Sequence, residues 1–292
     1  MVSAKTGMGL LSVVATPIGN LGDLSPRALE VLRDADLIAA EDTRTAAMLL
    51  QKYGITGAKM LPNHKFNEES AAEKLVEELT GGKQVALITD AGTPCISDPG
   101  YVLVREAVKA GVPVTSVPGC CAAITAITVS GFSALSFAFY GFLPRTAGEI
   151  RKVFSRVAGE YSTLVVFYES PNRIVKTVAL LAECLPDCGV CLCNDLTKKF
   201  ERIYRGTPSE VLAELEANPN ADKGEYVLVI ETPAHAETEE AGLSPEAMLV
   251  DRMVKDGIGL RDAVKLLAEE KKAPKGVLYD AGLKLKEWGM EK

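Results

Sequence analysis

The reading of this chain turns on residues 84–119, QVALITDAGTPCISDPGYVLVREAVKAGVPVTSVPG. QVALITD (84–90) is a short apolar run ending in an acid, the pattern of a buried strand that delivers a carboxylate to its carboxyl end. The loop AGTPCISDPG follows, and YVLVREAVKAG then has helical spacing with a terminal glycine. VPVTSV (112–117) is the next strand, and it stops at Pro118-Gly119. Strand, loop, helix and strand joined by short connections imply a parallel sheet covered by helices. Ligands on such sheets bind beyond the carboxyl ends of the strands.

Working outward, the same alternation recurs. LLSVVA (10–15) is a strand, TPIGN a turn, and Ser25-Pro26 opens a helix, with Ser as cap and Pro at the first helical position. Residues 37–40 form a second strand that ends at Glu41-Asp42-Thr43-Arg44, and a helix runs on to Gly54. After VPVTSV comes a helix of small residues, CCAAITAITVSG. Beyond SFAFYGFLPR the style changes. TLVVFYE (163–169), GVCLCND (189–195), FERIYRG (200–206) and GEYVLVIE (224–231) read as strands with more antiparallel pairing, and Thr207 to Glu210 is a capping box. PAHAETEEAGLS (233–244) reads as a linker, and three short helices with a helix-turn-helix flavour follow it. The expected organisation is an N-terminal α/β domain over residues 1–130, with a parallel-rich sheet. A second α/β domain with a mixed sheet spans 131–235, and a linker with a small helical domain spans 236–292.

The chain has 292 residues and a net charge of −7. The acidity is concentrated in residues 206–243, whereas 144–205 is locally basic, with Arg145, Arg151, Lys152, Arg156, Lys198, Lys199, Arg202 and Arg205. A simple nucleic-acid binder is disfavoured. No apolar run is long enough to cross a membrane and the N-terminus lacks a cleavable leader, so a cytoplasmic location is expected. The seven cysteines are odd in number and include the adjacent pair Cys120-Cys121, which fits reduced thiols better than a disulfide framework. Cys184, Cys188, Cys191 and Cys193 read as small core residues rather than metal ligands, with Cys191 and Cys193 on one strand face. No phosphate-binding glycine loop, nucleophile elbow or zinc signature occurs, and the only histidines are His64 and His235. The chemistry must rest on backbone loops and carboxylates. Asp90, at a strand tip beside Gly92, suits a ribose diol or an ammonium group, although a turn or cap role is about as consistent. Gly119 and the small side chains after it fit either a ligand or close helix–strand packing.

Beside that reading stands a resemblance. VATPIGNLGDLSPRALEVLRDADLIAAEDTR (14–44), ALITDAGTPCISDPGYVLV (86–104), PGCCAAITAI (118–127), FYGFLPR (139–145), FYESPNRI (167–174) and LTKKFERIYRGT (196–207) resemble, in order, the motifs of the ribosomal RNA small subunit methyltransferase I family. That family has the tetrapyrrole-methylase fold. The resemblance implies S-adenosylmethionine-dependent methylation of the ribose 2′-oxygen of a decoding-site cytidine in 16S rRNA. The partner would be the small ribosomal subunit and the enzyme a homodimer, with no metal, membrane or DNA partner. It implies a cofactor site around Thr16 to Gly19, including Pro17, with Asp90, Gly92, Thr93, Pro94, Gly119, Cys121, Ala122 and Tyr168. Substrate would lie near Arg44, Arg145, Ser170 and Arg173. Glu41, Asp42, Glu169 and Lys198 are the candidates for the catalytic base, and a lysine would have to be neutral to serve. Two departures stand out. Cys120-Cys121 replaces the family's usual Pro-Ser, and Asn194-Asp195 replaces Arg-Glu. Two rival readings are a methylase of this fold acting on a corrin or porphyrin precursor, and a non-catalytic ribosome-binding homologue.

Overall fold

A computed structural model of the chain describes residues 7–158, 164–232, 244–270 and 274–289. Residues 1–233 form one compact unit and 234–292 another. In the first, β1 (Leu11–Val14), β2 (Leu37–Ala40), β3 (Met60–Pro62), β4 (Val85–Ile88) and β5 (Val114–Val117) make a sheet in the order β3-β2-β4-β1-β5, parallel throughout. β4 is central and buried along its whole length, which is why its sequence is a continuous apolar run. The strand alternation sorts side chains to two faces. Val14, Ile38, Ala86 and Ile88 pack with Leu32 of α1 (Pro26–Asp34) and Leu50 of α2 (Thr43–Lys52). Leu11, Ala39, Val85 and Leu87 pack with Leu75 of α3 (Glu68–Thr80) and Leu103 of α4 (Tyr101–Lys109). Ser25 caps α1 by accepting from the Ala28 N–H, with Pro26 in the first turn, as the sequence predicts.

The sheet reverses its order at β1 and β4. From β1 the chain moves to β2 on one side, and from β4 it crosses β1 to reach β5 on the other. A crevice therefore opens beyond their carboxyl ends, where Thr16 and Gly92 pair through reciprocal backbone hydrogen bonds of 2.9 and 3.1 Å.

The second sheet is mixed, as expected. β6 (Ala138–Phe142), β7 (Leu164–Glu169), β8 (Gly189–Asn194), β9 (Arg202–Gly206) and β10 (Tyr226–Glu231) lie in the order β6-β7-β10-β8-β9. Only the β6–β7 pair is parallel. α6 (Ala147–Val157), α7 (Pro171–Cys184) and α8 (Pro208–Glu216) bury one face around Phe154, Phe167, Leu181, Leu192 and Leu228. The other face is covered by α5 (Ala122–Ser130), whose Ala123, Ala126 and Ile127 pack on Val166, Cys191, Cys193, Val227 and Val229. Small side chains let this helix lie close to the strands. Cys191 and Cys193 share that face, buried, with their sulfurs 3.8 Å apart. Among the described residues no group of His, Cys, Asp and Glu could hold a metal ion, and no helix is long and apolar enough to cross a membrane. β3 and β6 are strands that the sequence reading does not assign.

In the second unit α9 (Pro245–Asp256), α10 (Leu260–Glu269) and α11 (Lys275–Glu287) pack around Leu249, Leu260, Leu267, Leu278 and Leu285. The expected linker lies outside the described residues apart from Ser244, which caps α9.

Candidate functional site

A cavity of about 380 Å3 lies beyond the carboxyl ends of the first sheet's central strands and is closed on its far side by residues of the second sheet. Glu41, Asp90 and Asp98 supply one wall. Strand register explains two of them. Ala40 pairs with Ile88, so Glu41 and Thr89 are the next register neighbours, and the Thr89 hydroxyl donates to Glu41 Oε2 at 2.6 Å. Asp90 Oδ1 accepts the Asp42 N–H at 3.2 Å. Burial, with Glu41 and Asp42 close by, pushes the Asp90 carboxyl above the usual range. Burial together with Glu41 and Asp90 raises Asp98 to about 6.

Ile18, Ala122, Phe142, Leu196 and Val227, with Cys121 and Tyr168 among them, give the cavity an apolar stretch of lining, and Glu169 and Glu225 line it as well. Tyr168 is held by edge contacts with Phe139 and Phe142, and its hydroxyl accepts the Ala123 N–H at 3.3 Å. Burial, chiefly, drives its pKa upward. The turn after β1 is fastened to the loop after β8. Asn20 N–H donates to Thr197 Oγ1 at 3.1 Å, and a Cβ on Gly19 would sit 2.5 Å from Lys198 Cγ.

Of the residues expected to hold a cofactor, Asp90, Gly92, Thr93, Cys121, Ala122 and Tyr168 line the cavity. Pro17, Pro94 and Gly119 lie outside that lining. Pro17 and Pro94 are buried, and Gly119 packs against Ala15, where a Cβ would come within 2.9 Å of the alanine's own. Of the base candidates, Glu41 and Glu169 reach the cavity. Asp42 caps α2 and pairs with Arg44 at 2.7 Å, which holds its carboxyl far below the usual range. Lys198 donates to Asp195 and Glu225, both at 2.8 Å. Burial pulls its pKa down, but these two carboxylates outweigh it and the net shift is upward. Of the substrate candidates, Ser170 lines the cavity. Arg173 faces Glu169 at 3.1 Å and donates to the carbonyls of Leu143 and Pro144, while Arg44 and Arg145 are exposed. Asp98, Ser97, Phe142, Leu196 and Glu225 line the cavity without being singled out in the sequence. Asp98 stands within the quoted DAGTPCISDPG loop, and its acid type was the available signal.

The family model for tetrapyrrole (corrin/porphyrin) methylases matches residues 10–212. The ribosomal RNA small subunit methyltransferase I of Pasteurella multocida is 41% identical over 276 residues, covering 94% of this chain and 97% of that protein. The protein of the same name from Bacillus subtilis is 38% identical over 283 residues, 96% of each. The chain belongs to the small subunit methyltransferase I family. Among solved structures, the methyltransferase CobJ has a TM-score of 0.57 at 18% identity, covering 77% of this chain and all of that one. Uroporphyrin-III C-methyltransferase from Thermus thermophilus, complexed with S-adenyl homocysteine, has a TM-score of 0.51 at 16% identity, covering 76% of this chain and 97% of that one. At such identities the likeness shows the shared fold alone. In this chain both departures are built into the frame. Cys121 is the N-cap of α5 and makes no side-chain capping bond. Asn194 Nδ2 donates to the carbonyls of Lys223 and Glu225, and Asp195 packs on Gly224 and holds Lys198.

Proposed function

We propose that this chain uses S-adenosylmethionine to methylate the ribose 2′-oxygen of a decoding-site cytidine in 16S rRNA, acting in the cytoplasm on the small ribosomal subunit. The observation that carries the reading is the cavity, whose lining combines several acids with a stretch of apolar side chains. The names of relatives that match along nearly the whole chain support the RNA substrate over a corrin or porphyrin.

The residues present fit this cofactor. Its sulfonium and ammonium groups are cationic, and Glu41 and Asp90 offer negative charge. Ile18, Leu196 and Val227 offer apolar surface to a purine, and the small Ala122 leaves room at the start of α5. When bound, the cofactor supplies an electrophilic methyl carbon. The protein's own work is alignment and exclusion of water. Glu169 and Arg173 fix the start of α7 and the exit of β6. Lys198 stays protonated and clamps the loop after β8 rather than accepting a proton. Arg44 and Arg145, exposed on the surface, suit phosphate contacts. We also propose a homodimer. Leu135, 99% exposed, with Phe137 and Phe142 supports an apolar contact there.

The test is transfer of labelled methyl to small subunits from a strain lacking the enzyme, followed by nucleoside analysis of the digested RNA. One 2′-O-methylcytidine is expected. Absence of label in both particles and naked 16S rRNA, or transfer to uroporphyrinogen instead, overturns the reading.

A further inference from the structure

Asp98 belongs to the loop between β4 and α4, and the backbone of that loop is bent to place it. Cys95 and Ser97 hold φ values of 71° and 67°, and Gly100 holds 128°. Non-glycine residues adopt the left-handed region only where the surroundings impose it. Here the Gly100 N–H donates to Glu68 Oε1 at 2.8 Å, and Ser97 lies so close to Gly141 of β6 that a Cβ there would be 2.7 Å from its hydroxyl. The outcome is a half-buried carboxylate turned onto the cavity wall beside Glu41 and Asp90.

The groups that act on Asp98 are Glu41, Asp90 and the Thr89 hydroxyl, and none is a cation. Cys95 and Tyr168 also feel its charge, and Glu68 acts on Cys95. Thr89 has one hydroxyl proton, and Glu41 takes it at 2.6 Å. The Thr89 oxygen is left with lone pairs, which a protonated Asp98 can satisfy as donor. Glu41 accepts the Thr89 hydroxyl and Asp90 accepts the Asp42 N–H, whereas the hydroxyl beside Asp98 is already committed to Glu41, which leaves Asp98 the acid of the row open to a proton. Its carboxyl, raised to about 6, is poised close to neutral pH, where a base works best.

We propose that Asp98 is the catalytic base, accepting the proton of the attacking ribose hydroxyl. This rests on the methyltransferase reading above. The ribose O–H bond breaks and its proton passes to an Asp98 oxygen. The hydroxyl oxygen's electron pair forms the new carbon–oxygen bond. The carbon–sulfur bond of the methylsulfonium donor breaks and its pair stays on sulfur. Asp98 then returns the proton to solvent.

Asp98→Asn keeps the size of the side chain but cannot take up a proton. In that variant, kcat on small subunits is expected to fall by roughly 10²–10⁴-fold. The KM for subunits and the calorimetric Kd for S-adenosylmethionine should stay within about twofold of wild type, since a base acts chiefly in the transition state. Wild-type kcat should fall along an acid limb that the cationic donor beside Asp98 moves below the donor-free value of about 6, and Asp98→Glu should recover part of the rate. In donor-free protein carrying ¹³C-labelled aspartate, one carboxyl resonance should titrate near pH 6 and be missing from Asp98→Asn. Asp98→Asn with wild-type kcat overturns the proposal. So does a variant whose lost rate returns at saturating donor, since Asp98 would then hold the donor rather than the proton. Should the variant not fold, wild type decides, because the absence of any aspartate titrating near 6 in the donor-free protein overturns the proposal equally. Failure of wild type to bind donor or to methylate subunits is a different result, and it removes the methyltransferase reading itself.

Discussion

Two carboxylates on the rim of one cavity, Glu169 and Asp98, have opposite environments. Glu169 ends β7 with no exposed side-chain surface. It accepts the Ser170 N–H at 2.7 Å and the Thr177 hydroxyl at 2.9 Å, and faces Arg173 at 3.1 Å. Its charge is fully matched, so it holds α7 in place. Asp98 is half-buried among acids with no cation acting on it. Burying a charge with its partners builds structure, whereas leaving it short of partners keeps it reactive. Acid residues on a cavity wall are therefore best sorted by what pairs them.

That contrast can be broken in order of size. Glu169→Ala takes away the buried carboxylate that faces Arg173 and accepts from Ser170 and Thr177, and should cost about 3–5 kcal/mol in urea unfolding. Gly100→Ala forces a side chain into φ 128° with its Cβ 2.8 Å from Leu87 Cδ2, and should cost about 1–3 kcal/mol by the same measurement. Asp98→Asn should do the reverse of Glu169→Ala. An acid whose pKa is raised on folding binds its proton more tightly in the folded state. Its contribution is full below the ordinary carboxylate pKa and is lost as pH rises from 3.8 through about 6. The variant should therefore be more stable than wild type at neutral pH. Solvent still screens this half-buried group, which limits the gain to the order of 1 kcal/mol. Its melting temperature should also vary less with pH than that of wild type between those pH values, Asp90 supplying part of what remains. Ser25→Ala removes a helix cap that is not part of the cavity lining and should cost about 1 kcal/mol without changing donor affinity. Arg44→Ala, at an exposed ion pair, should leave thermal unfolding unchanged and weaken subunit binding most at low salt.

Much of the frame was legible. Apolar runs marked β1, β2, β4, β5 and the long strands of the second sheet, and Ser25, Thr207 and Ser244 marked helix starts. β3 and β6 were not, because β3 is only three residues long, both are only partly buried, and β6 is interrupted by Gly141 at φ 64°. The alanines of α5 signalled close packing, but not that its partner would be the second sheet. At the site, the loops could be picked out one by one, while the roles depend on neighbours distant in sequence. Glu41 and Thr89 meet across 48 residues through strand register. Lys198 is neutralised by Glu225, 27 residues away. Cys95 and Ser97 carry no residue-type signal for positive φ, so the folding of Asp98 onto the wall could not be read beforehand.

The central claim is that the methyl donor occupies the cavity between these two carboxylates. Cys121 lines that cavity and Cys184, on α7, does not. Alkylation of each thiol followed by mass spectrometry, with and without saturating S-adenosylmethionine, tests the claim directly. The account predicts that donor slows modification of Cys121 and leaves Cys184 unchanged. Equal rates at Cys121 under donor concentrations that calorimetry shows to be saturating would contradict it.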